Sequence, residues 1–133
     1  MKDLGATILR VIVGIMYVMH AYLSLVVFTP TGAADSIRAA GLPAPVLMAW
    51  IVIVVHSLGG IMLVVGLWTR VAAAANAVII LGALVKLHLP QGFFLKVMKD
   101  GSVGGFEFVL LLLAATVALI LTGGGALAIT RDR

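Results

Sequence analysis

Four stretches of the chain, about residues 4–28, 44–67, 71–89 and 105–122, are apolar at most positions and nearly free of charge. A helix that crosses a bilayer needs about 20 such residues, so the pattern predicts four spans. Polar residues gather between these runs or along stripes within them. In the first run, Arg10, Gly14, Tyr17, His20 and Ser24 recur at helical spacing. At about 100° per residue they fall within an arc of roughly 120°. The fold that follows is all-α, an integral membrane four-helix bundle forming a single transmembrane domain over residues 1–133.

The stripe on the first span has two readings. In one, Arg10 snorkels to the interface, Tyr17 hydrogen-bonds a neighbouring helix and His20 is a neutral core histidine, because polar side chains act as glue between spans. In the other, the stripe lines a cavity. The run itself exceeds a signal-peptide core of about 7 to 15 residues and carries Arg10, Tyr17 and His20, so it reads as a span.

The connection TPTGAADSIRAAGLPAP follows, and within it AADSIRAAGL predicts a short interfacial helix stopped at Gly41. The second span places His56 near the midplane, with Gly59 and Gly60 on the same face to admit another backbone. His56 reads either as a structural histidine donating to a carbonyl across that contact or as part of a polar pocket. The very short turn around Trp68 and Arg70 makes spans two and three antiparallel neighbours. In the third span AAAANA favours close packing, with Asn76 as an interhelical hydrogen-bond donor. Lys86 and His88 stand about 200° apart and cannot face one cavity. Pro90 is expected to push its predecessor out of helical conformation and leave His88 at the helix end.

The segment KLHLPQGFFLKVMKDGSVGGFEF, 86–108, brings His88 near the start of the fourth span. Its Phe93 and Phe94 read as dipping into the interface. Glu107, the one carboxylate of the fourth span, is favoured by the helix macrodipole at an N-terminus. It is also placed to pair with His88, and that pair is the expected centre of function.

Composition narrows the classes. The chain has 133 residues, 63% hydrophobic and 11% charged, with a formal charge of +4. Mean hydropathy is +1.26. A soluble domain has roughly a quarter charged residues, so this chain belongs in a lipid bilayer. Its basic residues sit at span ends and in loops, which is membrane anchoring rather than a nucleic-acid surface. Lys2, Arg10, Arg70, Arg131 and Arg133 lie on one side against Arg38, Lys96 and Lys99 on the other, and the bias favours both termini in the cytoplasm. Without cysteine the chain offers no disulfide, thiolate metal site or iron–sulfur ligation. His20, His56, His88 and Glu107 are metal-ligand types, but none shows the i, i+3 or i, i+4 spacing of a helical pair, and their depths differ. No metal or nucleotide is expected. A staggered set suits a proton relay or a pocket for a polar headgroup.

The ordered stretches LRVIVGIMYVMHA, GLPAP, HSLGGIMLVVGLWTR, HLPQGFF and GGFEFVLLLLAATVALILTGGG together resemble the DoxX family of small four-span bacterial membrane proteins. The family commonly has His-Gly-x-x-Lys where this chain has His20, Ala21 and Ser24, and Glu where it has His56. His20, His88 and Glu107 match. The resemblance implies a four-helix bundle in the bacterial inner membrane. For some members it implies association with quinone-linked oxidoreductase systems, including the membrane part of thiosulfate:quinone oxidoreductase; other members are accessory to soluble redox enzymes.

The functional expectation is a membrane subunit of, or accessory to, a quinone-linked oxidoreductase system. His20, Glu107 and His88 are the candidate catalytic residues, and Tyr17, His20, His56 and Glu107 the candidate quinone contacts. A quinone head needs hydrogen-bond partners and a proton supply within apolar surroundings. Electrons would come from a partner redox enzyme or bound cofactor, since the chain has no nucleotide-binding glycine fingerprint. A non-catalytic scaffold is the alternative, motivated by the small-residue faces at Gly59, Gly60, Ala72 to Ala75 and Gly123 to Gly125, which also suit a homo-oligomer. A small-solute transporter comes third, for the chain lacks an internal repeat.

Overall fold

The computed structural model describes residues 2–97 and 103–130. Helix α1, Lys2–Tyr22, runs on through a π-helical turn over Leu23–Val27, closed by the Phe28 N–H on the Leu23 carbonyl at 2.8 Å. Helix α2, Thr29–Ala39, begins a turn earlier than AADSIRAAGL suggested, with Pro30 in its first turn where no intrahelical N–H is required. It buries Ala34 and Ile37 against Ala49 and exposes the Asp35–Arg38 ion pair. Helix α3, Pro45–Val65, ends where Leu67 N–H bonds the Met62 carbonyl at 2.8 Å and Gly66 takes φ +77°. That left-handed cap needs glycine.

Helix α4, Thr69–Ala83, then widens into a π-helical turn over Leu84–His88 and tightens into a 3-10 turn over Leu89–Gln91. Leu89 keeps helical angles, φ −56° and ψ −41°, contrary to the expectation from Pro90. The wider turn re-pairs the backbone, with Leu89 N–H on the Leu84 carbonyl, so the chain stays helical past the proline. A two-residue ladder pairs β1, Lys96–Val97, with β2, Val103–Gly104, before α5, Glu107–Thr122. Lys99, Arg131 and Arg133, which weigh in the charge bias, lie outside the described residues.

By length and composition the helices Asp3–Val27, Pro45–Val65 and Thr69–Gln91 are able to cross a membrane, and α5 is a shorter apolar helix. The protein is an all-α, multi-pass membrane bundle. Helices α1 and α4 each pack against both α3 and α5, so the four close into a ring with α2 laid on α3.

Small residues set the ring's spacing. A Cβ on Gly14 would stand 2.8 Å from the Gly60 carbonyl, and one on Gly60 would stand 2.9 Å from that of Gly14. The backbones of α1 and α3 therefore touch at this pair, as Gly59-Gly60 led one to expect. Ala72 and Ala73 are buried within the ring, and Gly124 and Gly125 press against Thr69 and Thr7. Most of the small-residue surface that motivated a scaffold is thus consumed inside the chain, although Ala74 and Ala75 are exposed.

Arg10 departs most from expectation. It does not snorkel; it is only 2% exposed. Its Nε donates to the Gly124 carbonyl at 2.9 Å, Nη1 to those of Leu63 and Val64 at 2.6 and 2.7 Å, and Nη2 to that of Leu127 at 3.3 Å. The Leu63 and Val64 carbonyls lie at the C-terminal end of α3, where Leu63 accepts, from the backbone, only the cap N–H of Gly66 at 3.2 Å and the macrodipole favours a cation. The segment after α5 folds back to meet this group: Ala126 N–H bonds the Asp3 carbonyl, Leu127 N–H bonds Thr7 Oγ1, and Thr130 N–H bonds the Gly66 carbonyl. Arg10 is thereby the centre of a clamp on one end of the bundle.

Candidate functional site

The opposite half of the bundle holds the histidines. Tyr17 stands eleven residues before Phe28 and His56 eleven after Pro45, so two antiparallel helices carry them to the same level. Their ring centroids are 4.9 Å apart. His20, one turn nearer α2, has its centroid 6.5 Å from that of His56. The unequal depths inferred from the sequence therefore do not keep these side chains apart. The opposite running directions of α1 and α3 bring them together.

Each member is anchored once. Thr116 Oγ1 donates to the Leu112 carbonyl at 2.7 Å, which uses its one hydrogen, so the 2.7 Å bond between Tyr17 and Thr116 has the phenol as donor. Asn76 Nδ2 donates to the Ala72 carbonyl at 2.8 Å, and its Oδ1 meets His56 Nδ1 at 2.7 Å. The interhelical bond expected of Asn76 exists, but with Asn76 as acceptor and the histidine as donor. His20 Nδ1 lies 2.8 Å from the Met16 carbonyl, and a carbonyl only accepts, so this nitrogen also carries hydrogen. Tyr17, Asn76 and Thr116 are fully buried and His56 nearly so, whereas His20 is half-buried.

Two nitrogens are left over. Among the described residues, Nε2 of His20 and Nε2 of His56 have no hydrogen-bond partner. In a neutral ring bonded through Nδ1–H, Nε2 presents a lone pair to whatever approaches. Phe108 of α5 lies nearly parallel to His20, with centroids 6.0 Å apart and planes 9° apart. Met19, Tyr22 and Leu23 are exposed along the same helix end.

His88 and Glu107 sit farther toward α2. The start of α5 is tied to the end of α4 by backbone: Phe106 N–H bonds the carbonyls of Gly92 and Phe93, and Glu107 N–H that of Phe93 at 2.9 Å. Gly105, at φ +106°, passes too close to the Phe94 carbonyl for any side chain. Phe93 stands edge-on to Phe106, and both Phe93 and Phe94 are exposed. The Gly105 backbone lies within hydrogen-bonding reach of the His88 ring, whose Nδ1 is buried without a partner. Lys86 is exposed and His88 half-buried, as their spacing required.

The expected Glu107–His88 ion pair is absent. Among the described residues the only carboxylate–cation pair is Asp35–Arg38. The close join is made by backbone groups, and the half-buried Glu107 carboxylate has no hydrogen-bond or ion-pair partner among the described residues. Asn76 and Thr116 are the site members that sequence reasoning passed over. Asn76 stood in view as packing glue; Thr116, a lone hydroxyl in a leucine-rich run, gave no signal of its partner across the bundle. Among the described residues no three His, Cys, Asp or Glu side chains are grouped to hold a metal ion.

The DoxX family model matches residues 5–89. A protein of Bacillus subtilis (strain 168) named "Putative oxidoreductase CatD" is 29% identical over 127 residues, covering 96% of this chain and 85% of that protein. No solved structure matches.

Proposed function

The chain belongs to the DoxX family, and from that premise we propose that it is the membrane component of a quinone-linked oxidoreductase system, in which His20 exchanges a proton with a quinone headgroup. The observation that carries this reading is the convergence of Tyr17, His20 and His56 with both Nε2 atoms unpartnered. The similarity to a B. subtilis protein named as an oxidoreductase supports the redox association.

The donor set fits such a ligand. A quinone supplies two-electron chemistry coupled to protons, and a ring-shaped polar head on an apolar tail suits a polar cluster opening toward lipid. His20 is reachable, and Phe108 offers an aromatic face beside it. Anchored at Nδ1 on Met16, the neutral imidazole accepts a proton at Nε2, and in its protonated form it donates one from the same atom. Tyr17 and His56 lie buried behind it, held by Thr116 and Asn76. His88 and Glu107, at the α2 end, carry protons between His20 and outside water. In this reading both termini are cytoplasmic in a bacterial inner membrane, and electrons pass to or from a partner enzyme.

Equilibrium titration with a short-tailed ubiquinone or menaquinone analogue in nanodiscs tests the site. Saturable binding is expected, weakened about tenfold or more in His20→Gln, a loss of about 1.4 kcal/mol or more. Equal binding by wild type and variant would remove the site.

A further inference from the structure

His56 has two ways to hold a single proton, and the surroundings permit one. The Asn76 side chain is fixed by two neighbours. Its Nδ2 donates to the Ala72 carbonyl at 2.8 Å, an acceptor that would repel Oδ1. Its amide also lies directly over Gly59, close enough that a Cβ there would collide with Nδ2. The amide cannot turn over without pointing Oδ1 at a carbonyl oxygen, nor move aside while Gly59 and Ala72 hold it. Oδ1 is therefore the only atom it presents to His56, and Nδ1 of that ring must be the donor at 2.7 Å.

We infer that Asn76, seated on Gly59, is a positioning residue that locks His56 as its Nδ1–H tautomer and keeps Nε2 as a bare acceptor beside Tyr17 and His20. This deepens the proposed proton-exchange site but rests on geometry that holds without any quinone. A free neutral imidazole favours hydrogen on Nε2, so the lock opposes the intrinsic preference of the ring. It leaves the acceptor atom of a buried histidine next to a second, half-buried one that the Met16 carbonyl holds in the same tautomer. The two histidines then offer lone pairs rather than N–H groups, an arrangement suited to accepting hydrogen bonds. Gly59 acquires a role beyond letting helices approach, because it makes room for the amide.

The test is nitrogen-15 NMR of imidazole-labelled protein in nanodiscs, without quinone, above the ordinary histidine titration range. The chain has three histidines, so signals are assigned by single His→Gln changes. Wild type is expected to show His56 with hydrogen on Nδ1 and a bare Nε2. Asn76→Leu should shift the His56 population to Nε2–H, while His20, held by backbone, keeps its pattern. Asn76→Asp retains the acceptor and should keep Nδ1–H. Gly59→Ala displaces the amide without altering it and should loosen the tautomer as Asn76→Leu does, which keeps the test open if the leucine variant fails to fold. An Nε2–H His56 in wild type, or an unchanged tautomer in both Asn76→Leu and Gly59→Ala, would overturn the inference. A locked tautomer with no quinone binding would instead leave the lock standing and remove only the proposed function.

Discussion

The two halves of the bundle treat buried polar groups differently. Around Arg10 the guanidinium is spent on four carbonyls from α3 and the folded-back tail, and its bonds link parts of the chain more than fifty residues apart. Around His56 the side chains of Tyr17, His20 and His56 are each held by a single hydrogen bond, and His20 and His56 each keep a nitrogen without a partner among the described residues. In an apolar setting an unmade hydrogen bond is costly. A clamp that spends four of its five donors on backbone carbonyls has stability to give; a cluster that withholds acceptors has chemistry to give. Substitutions should separate the two.

The largest loss of stability is expected at the clamp. Arg10→Leu removes the guanidinium donors from the carbonyls of Leu63, Val64, Gly124 and Leu127 and should cost about 4 kcal/mol, read as thermal unfolding in detergent. It should also release residues 123–130 to protease. Arg10→Lys, which keeps the charge but not the fork of donors, should recover only part of this. A melting temperature unchanged in Arg10→Leu would break the contrast at once.

Next is the α1–α3 contact. Gly60→Ala forces two backbones apart and should cost about 2 kcal/mol. Tyr17→Phe removes one buried bond while Thr116 keeps Leu112, so about 1 kcal/mol is expected. The smallest change belongs to the residue with the largest expected functional effect. His20→Gln should shift stability by about 0.5 kcal/mol or less, since it is half-buried and held only by Met16. A large melting shift in His20→Gln would mark it as another structural residue.

How much of this was legible depends on the kind of partner involved. The apolar runs, the inward stripe from Arg10 to Ser24 and the Gly59-Gly60 contact follow from periodicity, and the structure bears out the bundle they imply. Arg10 was misjudged because its partners are carbonyls of Leu63, Val64, Gly124 and Leu127, and a carbonyl leaves no mark in a sequence. The meeting of His20 with His56 was hidden because depth counted from each span's own end does not reveal lateral distance. For Glu107 and His88 the opposite happened. Their span ends do adjoin, yet adjacency of helix ends does not set where a side chain points, and the join is made by the Phe106 and Glu107 N–H groups on the carbonyls of Gly92 and Phe93. Pro90 misled because a π-helical turn is a remedy no single residue announces.

Photo-crosslinking with an azido-quinone in nanodiscs, mapped by mass spectrometry, addresses the histidine cluster most directly. Adducts are expected on α1 and α5 within one turn of His20 and Phe108, and they should fall away in His20→Gln while the protein's melting temperature holds. Adducts confined to the lipid-facing groove at Ile15, Ile61 and Val64, unchanged by that substitution, would contradict a quinone site at the histidines.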